Sequence, residues 1–443
     1  MKWSEGQQRV LHGYETGNNI FITGPGGSGK TTLIRQLYKN SLDQQKKMQV
    51  TALTGCAAIL LGCKARTIHS FAGIGLGTGT IEEVVGKVAG NNKKARAWRS
   101  IDILVIDEVS MMSKKLLEML DAVARVCRRR PGDPFGGLQV IFSGDFYQIR
   151  PIGNEKEPDT SAFCFESPLW STLFRPEHQI SLEKIFRQSD PSYASLLNKI
   201  RNGTLDEEGL SVLRQHIGKP VPVDRFFRPT KLFATRRQAE EVNREELEKL
   251  PKEREQTYTT ENIDDLPMTT KEYETRQRFS AAEIEHEYAF LRRNLMCEDT
   301  FRLRVGCQVM CVVNKQVLES KYLCNGSQGV VTGFTDSFLP IVRFQNGLEV
   351  IMEPHVWASE TIPGIGIRQI PLILAWAVTI HKAQGASMET AEVDAGSSIF
   401  ECGQTYVALS RIRSLDGLFL TSFDPTSVYV CPRVRDFYAN MNP

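Results

Sequence analysis

From the N-terminus to about residue 180, short apolar runs alternate with stretches in which apolar side chains recur every three or four positions. The runs at residues 20–23, 50–53, 103–106 and 140–143 are brief and continuous, the texture of strands buried on both faces. Leu33, Ile34 and Leu37 fall at helical spacing after the first run. A further helix is predicted over 114–126, ahead of an exposed turn at Arg128-Arg129-Arg130-Pro131-Gly132. Strands alternating with helices predict a parallel α/β sheet.

A second α/β segment begins near Ser181. Residues 240–300 are charged, with few apolar runs before Tyr288, which predicts a solvated helix and a long surface connection. Between 301 and 368 the texture turns to short β-type runs broken by Asn325-Gly326 and Asn346-Gly347, predicting a small β-barrel insertion. Parallel α/β texture resumes at Leu372 and continues to Leu420. The predicted fold class is α/β: two parallel-sheet domains with a β-barrel insertion. They divide as 1–180, then 181–304 with 371–443, and 305–370 for the insertion.

Composition narrows the partners. The 443 residues are many for one compact domain, and 41% apolar content is enough for real cores. A net charge of +2 excludes a bulk polycation, so any nucleic-acid surface must be local; Lys93-Lys94-Ala95-Arg96 is one basic patch. Ten cysteines without a Cys-x-x-Cys, and a polar N-terminus with no secretory signal, predict a reducing intracellular compartment. That means cytoplasm in a bacterium or virus, nucleus or mitochondrion in a eukaryote. Cys307 and Cys311 lie in an apolar run and read as core strand residues. No apolar run is long enough to cross a bilayer, so no membrane partner is expected. The sequons at Asn202 and Asn325 read as Asn-Gly turns.

The chemistry begins with Gly24-Pro25-Gly26-Gly27-Ser28-Gly29-Lys30-Thr31, a complete phosphate-loop pattern between a predicted strand and a predicted helix. Glycines let such a loop fold into a nest of inward N–H groups at a helix N-terminus. Lys30 can reach the outer phosphates, and the Thr31 hydroxyl, with Thr32 beside it, is placed to hold Mg²⁺. Residues 103–106 lead into Asp107-Glu108, so a buried strand delivers two carboxylates to the sheet edge beside that loop. Asp107 is assigned to the metal and Glu108 to the base that polarises the attacking water. A third strand ends in Gly144-Asp145-Phe146-Tyr147-Gln148, where an uncharged glutamine can touch the γ-phosphate or its water.

Asp107-Glu108-Val109-Ser110-Met111, Pro134-Phe135-Gly136-Gly137-Leu138-Gln139 and Gly144-Asp145-Phe146-Tyr147-Gln148 together resemble the superfamily 1B DNA helicases. Within these they resemble the Pif (petite integration frequency) family, relatives of RecD, over nearly the whole chain. The resemblance implies two RecA-like domains, an SH3-like insertion over the DNA path and a small wedge within about 73–98. It implies ATP and Mg²⁺ as cofactors, and single-stranded, duplex or G-quadruplex DNA as partners of a chain that is monomeric or weakly self-associating on DNA. In Trp3-Ser4-Glu5-Gly6-Gln7 the implied adenine reader is Gln7. Thr54 of Thr54-Gly55-Cys56-Ala57-Ala58, and His69, Ser70 and Phe71 of Thr67-Ile68-His69-Ser70-Phe71, are implied single-strand contacts. Phe186-Arg187-Gln188 resembles the motif whose arginine reaches the γ-phosphate from the second domain. The run Thr379 to Gly385 resembles the motif joining DNA to nucleotide, with Thr379, His381 and Lys382 on the strand and Gly385 at the ATP. Tyr406-Val407-Ala408-Leu409-Ser410-Arg411 supplies a second arginine finger, Arg411.

Where the family continues Leu-Pro-Pro after its glutamine, this chain has Ile149-Arg150-Pro151. Arg150 is a candidate grip on a DNA phosphate or a modifier of coupling. Phe71 reads equally as a core residue, His381 as a structural one, and each arginine as a surface ion-pair partner. The implied activity is ATP-driven 5′-to-3′ unwinding in genome maintenance. One alternative is a nucleotide-switched remodeller that binds DNA without separating it, since no clear aromatic pin precedes Trp98; the other is an RNA-directed ATPase, for or against which the sequence offers no 2′-hydroxyl contact.

Overall fold

The computed structural model describes residues 3–441 except 76, 78, 154, 155, 189, 222–226, 319, 320, 360, 381, 397, 398 and 400, with backbone alone at 56, 316, 318, 321 and 322. It divides into two compact units: Met1–Arg187 with Glu401–Gly403 and Val430–Pro443, and Gln188–Phe400 with Gln404–Tyr429. Among the described residues no helix is long and apolar enough to cross a membrane.

The first unit is built on a parallel sheet of β1 (Ile20–Thr23), β2 (Met48–Ala52), β3 (Arg66–Thr67), β4 (Ile103–Asp107), β5 (Gln139–Ser143) and β6 (Gln179–Ser181). Their order is β3-β2-β4-β5-β1-β6. Successive side chains leave a strand on opposite faces, so each short run feeds two cores. Ile20, Ile22, Val50, Val105 and Ile141 pack with helices α1 (Glu5–Glu15) and α2 (Lys30–Asp43). Phe21, Leu104, Ile106, Val140 and Phe142 face the other way, toward the helices that follow. Those helices are α4 (Ile68–Ala72), α5 (Ile81–Ala89), α6 (Asn92–Arg99) and α7 (Lys114–Arg128), while α3 (Gly55–Leu61) packs through Ala58 and Leu61 on the face of α1 and α2. The stretch in which a wedge was expected holds the α5–α6 pair, laid on α7 by Val84, Val88, Ala95 and a fully buried Trp98.

α7 runs two residues past its predicted end because Arg129, at φ 59°, provides a left-handed stop. The Pro134–Gly137 turn then closes on it. Asp121 accepts the Phe135 amide at 2.6 Å, and Arg128 donates to the carbonyls of Gly136, Trp98 and Ile101. This part of the family signature is thus a bracket joining α6, α7 and β5.

The second unit has a four-stranded parallel sheet in the order Ala377–Thr379, Thr230–Phe233, Ala391–Ala395, Leu418–Phe423. The insertion is antiparallel, in the order Glu349–Ile351, Pro340–Phe344, Gln328–Phe334, Gln308–Cys311, Leu372–Leu374. Gly326 and Gly347 take positive φ, as Asn-Gly turns require.

The units differ from the expected division in four places, one of them the segment Glu401–Gly403, which belongs to the first unit. The boundary falls after Arg187 rather than at 180, and the helix Pro432–Met441 belongs to the first unit. The insertion recruits strands from outside 305–370: Leu372–Leu374 joins its main sheet, and Glu261–Ile263 pairs with Gly366–Gln369. The charged stretch is also more structured than its composition suggests. Besides Arg236–Lys249 it holds the helices Thr270–Arg276 and Ala281–Asn294, each opened by a Thr or Ser capping box and closed by a basic last turn.

Candidate functional site

β1, β4, β5 and β6 all end at the same edge of the first sheet, and each continues into one candidate segment. β1 runs into the phosphate loop. Gly24, Gly27 and Gly29 have φ of 135°, 83° and 88°, values that L side chains rarely adopt. The loop is also pressed from behind: a Cβ on Gly24 would stand 2.4 Å from the Leu182 carbonyl oxygen. Lys30 Nζ donates to the carbonyls of Gly24 (2.7 Å) and Pro25 (3.1 Å) within the same loop. Gly29 caps α2 with no side-chain hydrogen bond, leaving the first N–H groups of the helix for an anion. Thr31 and Thr32 lie exposed on that first turn, while Gly24, Pro25, Gly26 and Ser28 are buried. The buried Ser28 hydroxyl has no hydrogen-bond partner among the described residues.

Asp107 closes β4 and is buried; burial pushes its carboxyl above the ordinary carboxylate range, opposed by the Ser143 hydroxyl, the Glu108 amide and the Lys30 ammonium. Glu108 turns the chain in a left-handed conformation, φ 58° and ψ 38°. For a non-glycine residue this costs on the order of 1–2 kcal/mol, and it swings Glu108 out of the strand's line into a half-exposed position.

β5 continues into the Gln148 turn, where Asp145 accepts the Gln148 amide through its carbonyl (2.9 Å) and the Tyr147 amide through its carboxylate (3.2 Å). Gly144 donates to the Ile22 carbonyl, tying this turn to β1. Gln148 itself is buried. Arg150 faces outward and forks onto Glu401, Nε to Oε2 at 2.5 Å and Nη2 to Oε1 at 3.3 Å.

β6 continues into the segment that carries Arg187, and this corrects the expectation that Arg187 lies in the second domain. Arg187 closes the first unit. The Phe186 amide donates to the Gly27 carbonyl at 2.9 Å, and a Cβ on Gly27 would meet the Arg187 Cβ at 2.4 Å. Gln7 approaches the same loop: its Oε1 accepts the Ser4 amide in a capping box, and its Nε2 would lie 3.1 Å from a Cβ on Gly29. The exposed Phe186 ring would stand 3.7 Å from that same Cβ, a flat apolar face beside Gln7 that the sequence reading did not single out.

The remaining candidates separate. Thr54 and Thr67 cap α3 and α4 through their hydroxyls, and Ser70 is exposed on α4. His69 is half-buried, and desolvation holds its imidazole below the usual range. Phe71 is a correction: its ring is 2% exposed and packs on Trp98 with centroids 4.9 Å apart, so it supports α4 and offers no face to a base. In the second unit Thr379 accepts the Lys382 amide at 3.2 Å, and both line a recess with Arg236 and Asn243. Gly385 has φ 82°. Arg411 is buried and donates to the Val407 carbonyl (2.9 Å) and the Ser410 hydroxyl (2.8 Å). His381 lies outside the described residues.

Tyr438, on the helix Pro432–Met441, was not foreseen. Its hydroxyl meets Thr23, the residue before the phosphate loop, and accepts the Phe146 amide at 3.1 Å; its ring stacks on Tyr147. The sequence reading placed no element beyond Leu420.

A family model for PIF1-like helicase matches residues 4–210. The chain is 34% identical to the ATP-dependent DNA helicase PIF6 of Trypanosoma brucei brucei and 35% identical to human ATP-dependent DNA helicase PIF1. These matches cover 100% and 99% of this chain but 56% and 64% of the relatives, so it spans roughly three-fifths of their length. The crystal structure of Pif1 helicase from Candida albicans is 32% identical, covers 100% of both chains and superposes with a TM-score of 0.73. Bacteroides sp Pif1 in complex with ADP-AlF4 gives a TM-score of 0.79 at 26% identity, over 99% of this chain and 97% of that one. Bacteroides Pif1 bound to ssDNA gives 0.63 at 27%, with the same coverage. With its sequence matched from end to end and its sheet-edge segments in place, the chain belongs to the Pif1 helicase family.

Proposed function

We propose that this chain is an ATP-driven DNA helicase that moves 5′ to 3′ on single-stranded DNA and separates duplex or structured DNA, G-quadruplexes included. The observation that carries this reading is the convergence of the phosphate loop, Asp107-Glu108, the Gln148 turn and Arg187 at one sheet edge. That likeness extends to relatives solved with ADP-AlF4 and with ssDNA.

The residues fit ATP and Mg²⁺. The glycine cradle, the uncapped N-terminus of α2 and the partnerless Ser28 hydroxyl suit phosphate oxygens, while Thr31 and Asp107 form a hard-oxygen pair suited to Mg²⁺. When bound, Mg²⁺ would neutralise charge building on the β- and γ-phosphates. Lys30 would shift from its loop carbonyls to the outer phosphates. Glu108 would take the proton of the attacking water and Gln148 would orient that water. Arg187, and Arg411 from the second unit, would stabilise the charge on the transferring phosphoryl group. Gln7 and Phe186 would hold the base. On DNA we assign Ser70, Thr379, His381 and Lys382, with Thr54 and His69 setting the loop that presents Ser70.

The test is ATP-dependent strand separation on matched duplexes carrying a 5′ tail, a 3′ tail or none, with Lys30→Ala as control. Unwinding from the 5′ tail alone is expected; unwinding only from the 3′ tail overturns the polarity. The burial of Trp98, the sole aromatic between 73 and 98, favours one second reading, a remodeller without a strand-splitting pin. DNA-stimulated hydrolysis without strand separation would select it.

A further inference from the structure

The segment Glu401–Gly403 belongs to the first unit although the stretches of chain before and after it belong to the second. Two features hold it there, and both act on the Gln148 turn. Gly403, at φ 79°, rests on the turn's backbone: a Cβ there would lie 2.4 Å from the Tyr147 carbonyl oxygen and 2.8 Å from that of Gln148. Two residues past Gln148, Arg150 forks onto both oxygens of Glu401. The pair is partly solvated, with side chains 44% and 25% exposed, so it adds little to stability. A two-point guanidinium–carboxylate contact does, however, fix a direction as well as a distance. Immediately after Gly403 the chain enters the helix Gln404–Leu409, and Arg411 follows two residues beyond its end.

We propose that Arg150 and Glu401 are positioning residues, a clasp that holds the Gln148 turn against the segment Glu401–Gly403 in the register needed for hydrolysis. The family's usual proline at position 150 has no charge with which to make such a clasp, so it is a device of this chain. The inference rests on the role given above to Gln148. It replaces the alternative in which Arg150 grips a DNA phosphate. Because Gln148 orients the attacking water at the transferring phosphoryl group, loosening the clasp lowers kcat far more than it raises the KM for ATP.

The experiment compares ssDNA-stimulated ATP hydrolysis by the full chain as wild type, Arg150→Glu, Glu401→Arg and the doubly reversed protein, with ssDNA affinity measured over a range of salt. Each single reversal is expected to lower kcat by about tenfold or more, as small misplacements at a reacting centre do. The double reversal should recover most of the loss, and the salt dependence of ssDNA affinity should stay that of wild type. Arg150→Lys, which keeps the charge but not the fork, should fall between and guards against a folding defect in the reversals. A double reversal no better than the singles overturns the clasp. So does an Arg150→Lys protein with reduced ssDNA affinity beside a Glu401→Arg protein with none lost, since that pattern marks a phosphate contact. Wild-type protein that hydrolyses no ATP with DNA present removes the proposed function and the clasp together. Hydrolysis without rescue removes the clasp alone.

Discussion

The hydroxyls of Thr23 and Tyr438 lie 2.6 Å apart, joining the residue that enters the phosphate loop to a helix 415 positions later in the chain. The same Tyr438 oxygen accepts the Phe146 amide, so the ends of β1 and β5 share one partner. Tyr438→Phe keeps the ring on Tyr147 but leaves a part-buried amide without its acceptor, at a cost of about 1–3 kcal/mol. Urea denaturation should report that loss, and ATP hydrolysis should fall with it, while Tyr438→Ala should be worse on both counts.

Glu108 sits in a left-handed conformation that glycine adopts freely. Glu108→Gly should therefore be more stable than Glu108→Ala by roughly 1 kcal/mol, measured as a difference in denaturation midpoint. Both should be inactive. Glu108→Gln should bind ATP and lose about 10²–10⁴-fold in kcat, the span of a general base.

Gly27 leaves no room for a side chain against Arg187. Gly27→Ala should push the Arg187 segment off the loop and cut hydrolysis by about 10³-fold or more, the scale of a lost arginine finger. Comparison with Arg187→Ala in steady-state kinetics checks this, since the two losses should match and should not add.

Arg411→Ala should abolish hydrolysis while leaving binding of a fluorescent ATP analogue near that of wild type. Equal loss of both would make its contacts to Val407 and Ser410 the whole of its role.

Desolvation depresses the His69 pKa, so the folded state favours the neutral ring. A histidine depressed on folding contributes stability above its unfolded value of about 6.5 that is lost as pH falls toward the folded value. Thermal melts should therefore drop between pH 7 and 5, and His69→Gln should flatten part of that drop.

The segments of the proposed nucleotide site were legible because phosphate chemistry demands glycines, a lysine and acids at fixed local offsets, and local offsets are written in sequence. The strands at 20–23, 103–106 and 140–143 were found for the same reason: they are buried on both faces and so uniformly apolar. What could not be read depends on distant chain. Arg187 lies beside Gly27 because β6 pairs with β1, a register that no local pattern encodes. Phe71 looked the same as a stacking residue or a core residue until Trp98 was set against it. The helices Thr270–Arg276 and Ala281–Asn294 bury so few residues that their apolar rhythm is faint.

Because Pro432–Met441 completes the first unit, that unit is assembled from pieces that flank the whole of the second. During synthesis, residues 188–429 are all available to fold before Tyr438 leaves the ribosome. The second unit thus has the earlier opportunity to become native, and the unit that carries the phosphate loop is fastened last. A nascent or proteolysed chain lacking the last dozen residues would keep every recognisable nucleotide motif and still lack the tyrosine that ties two of them together.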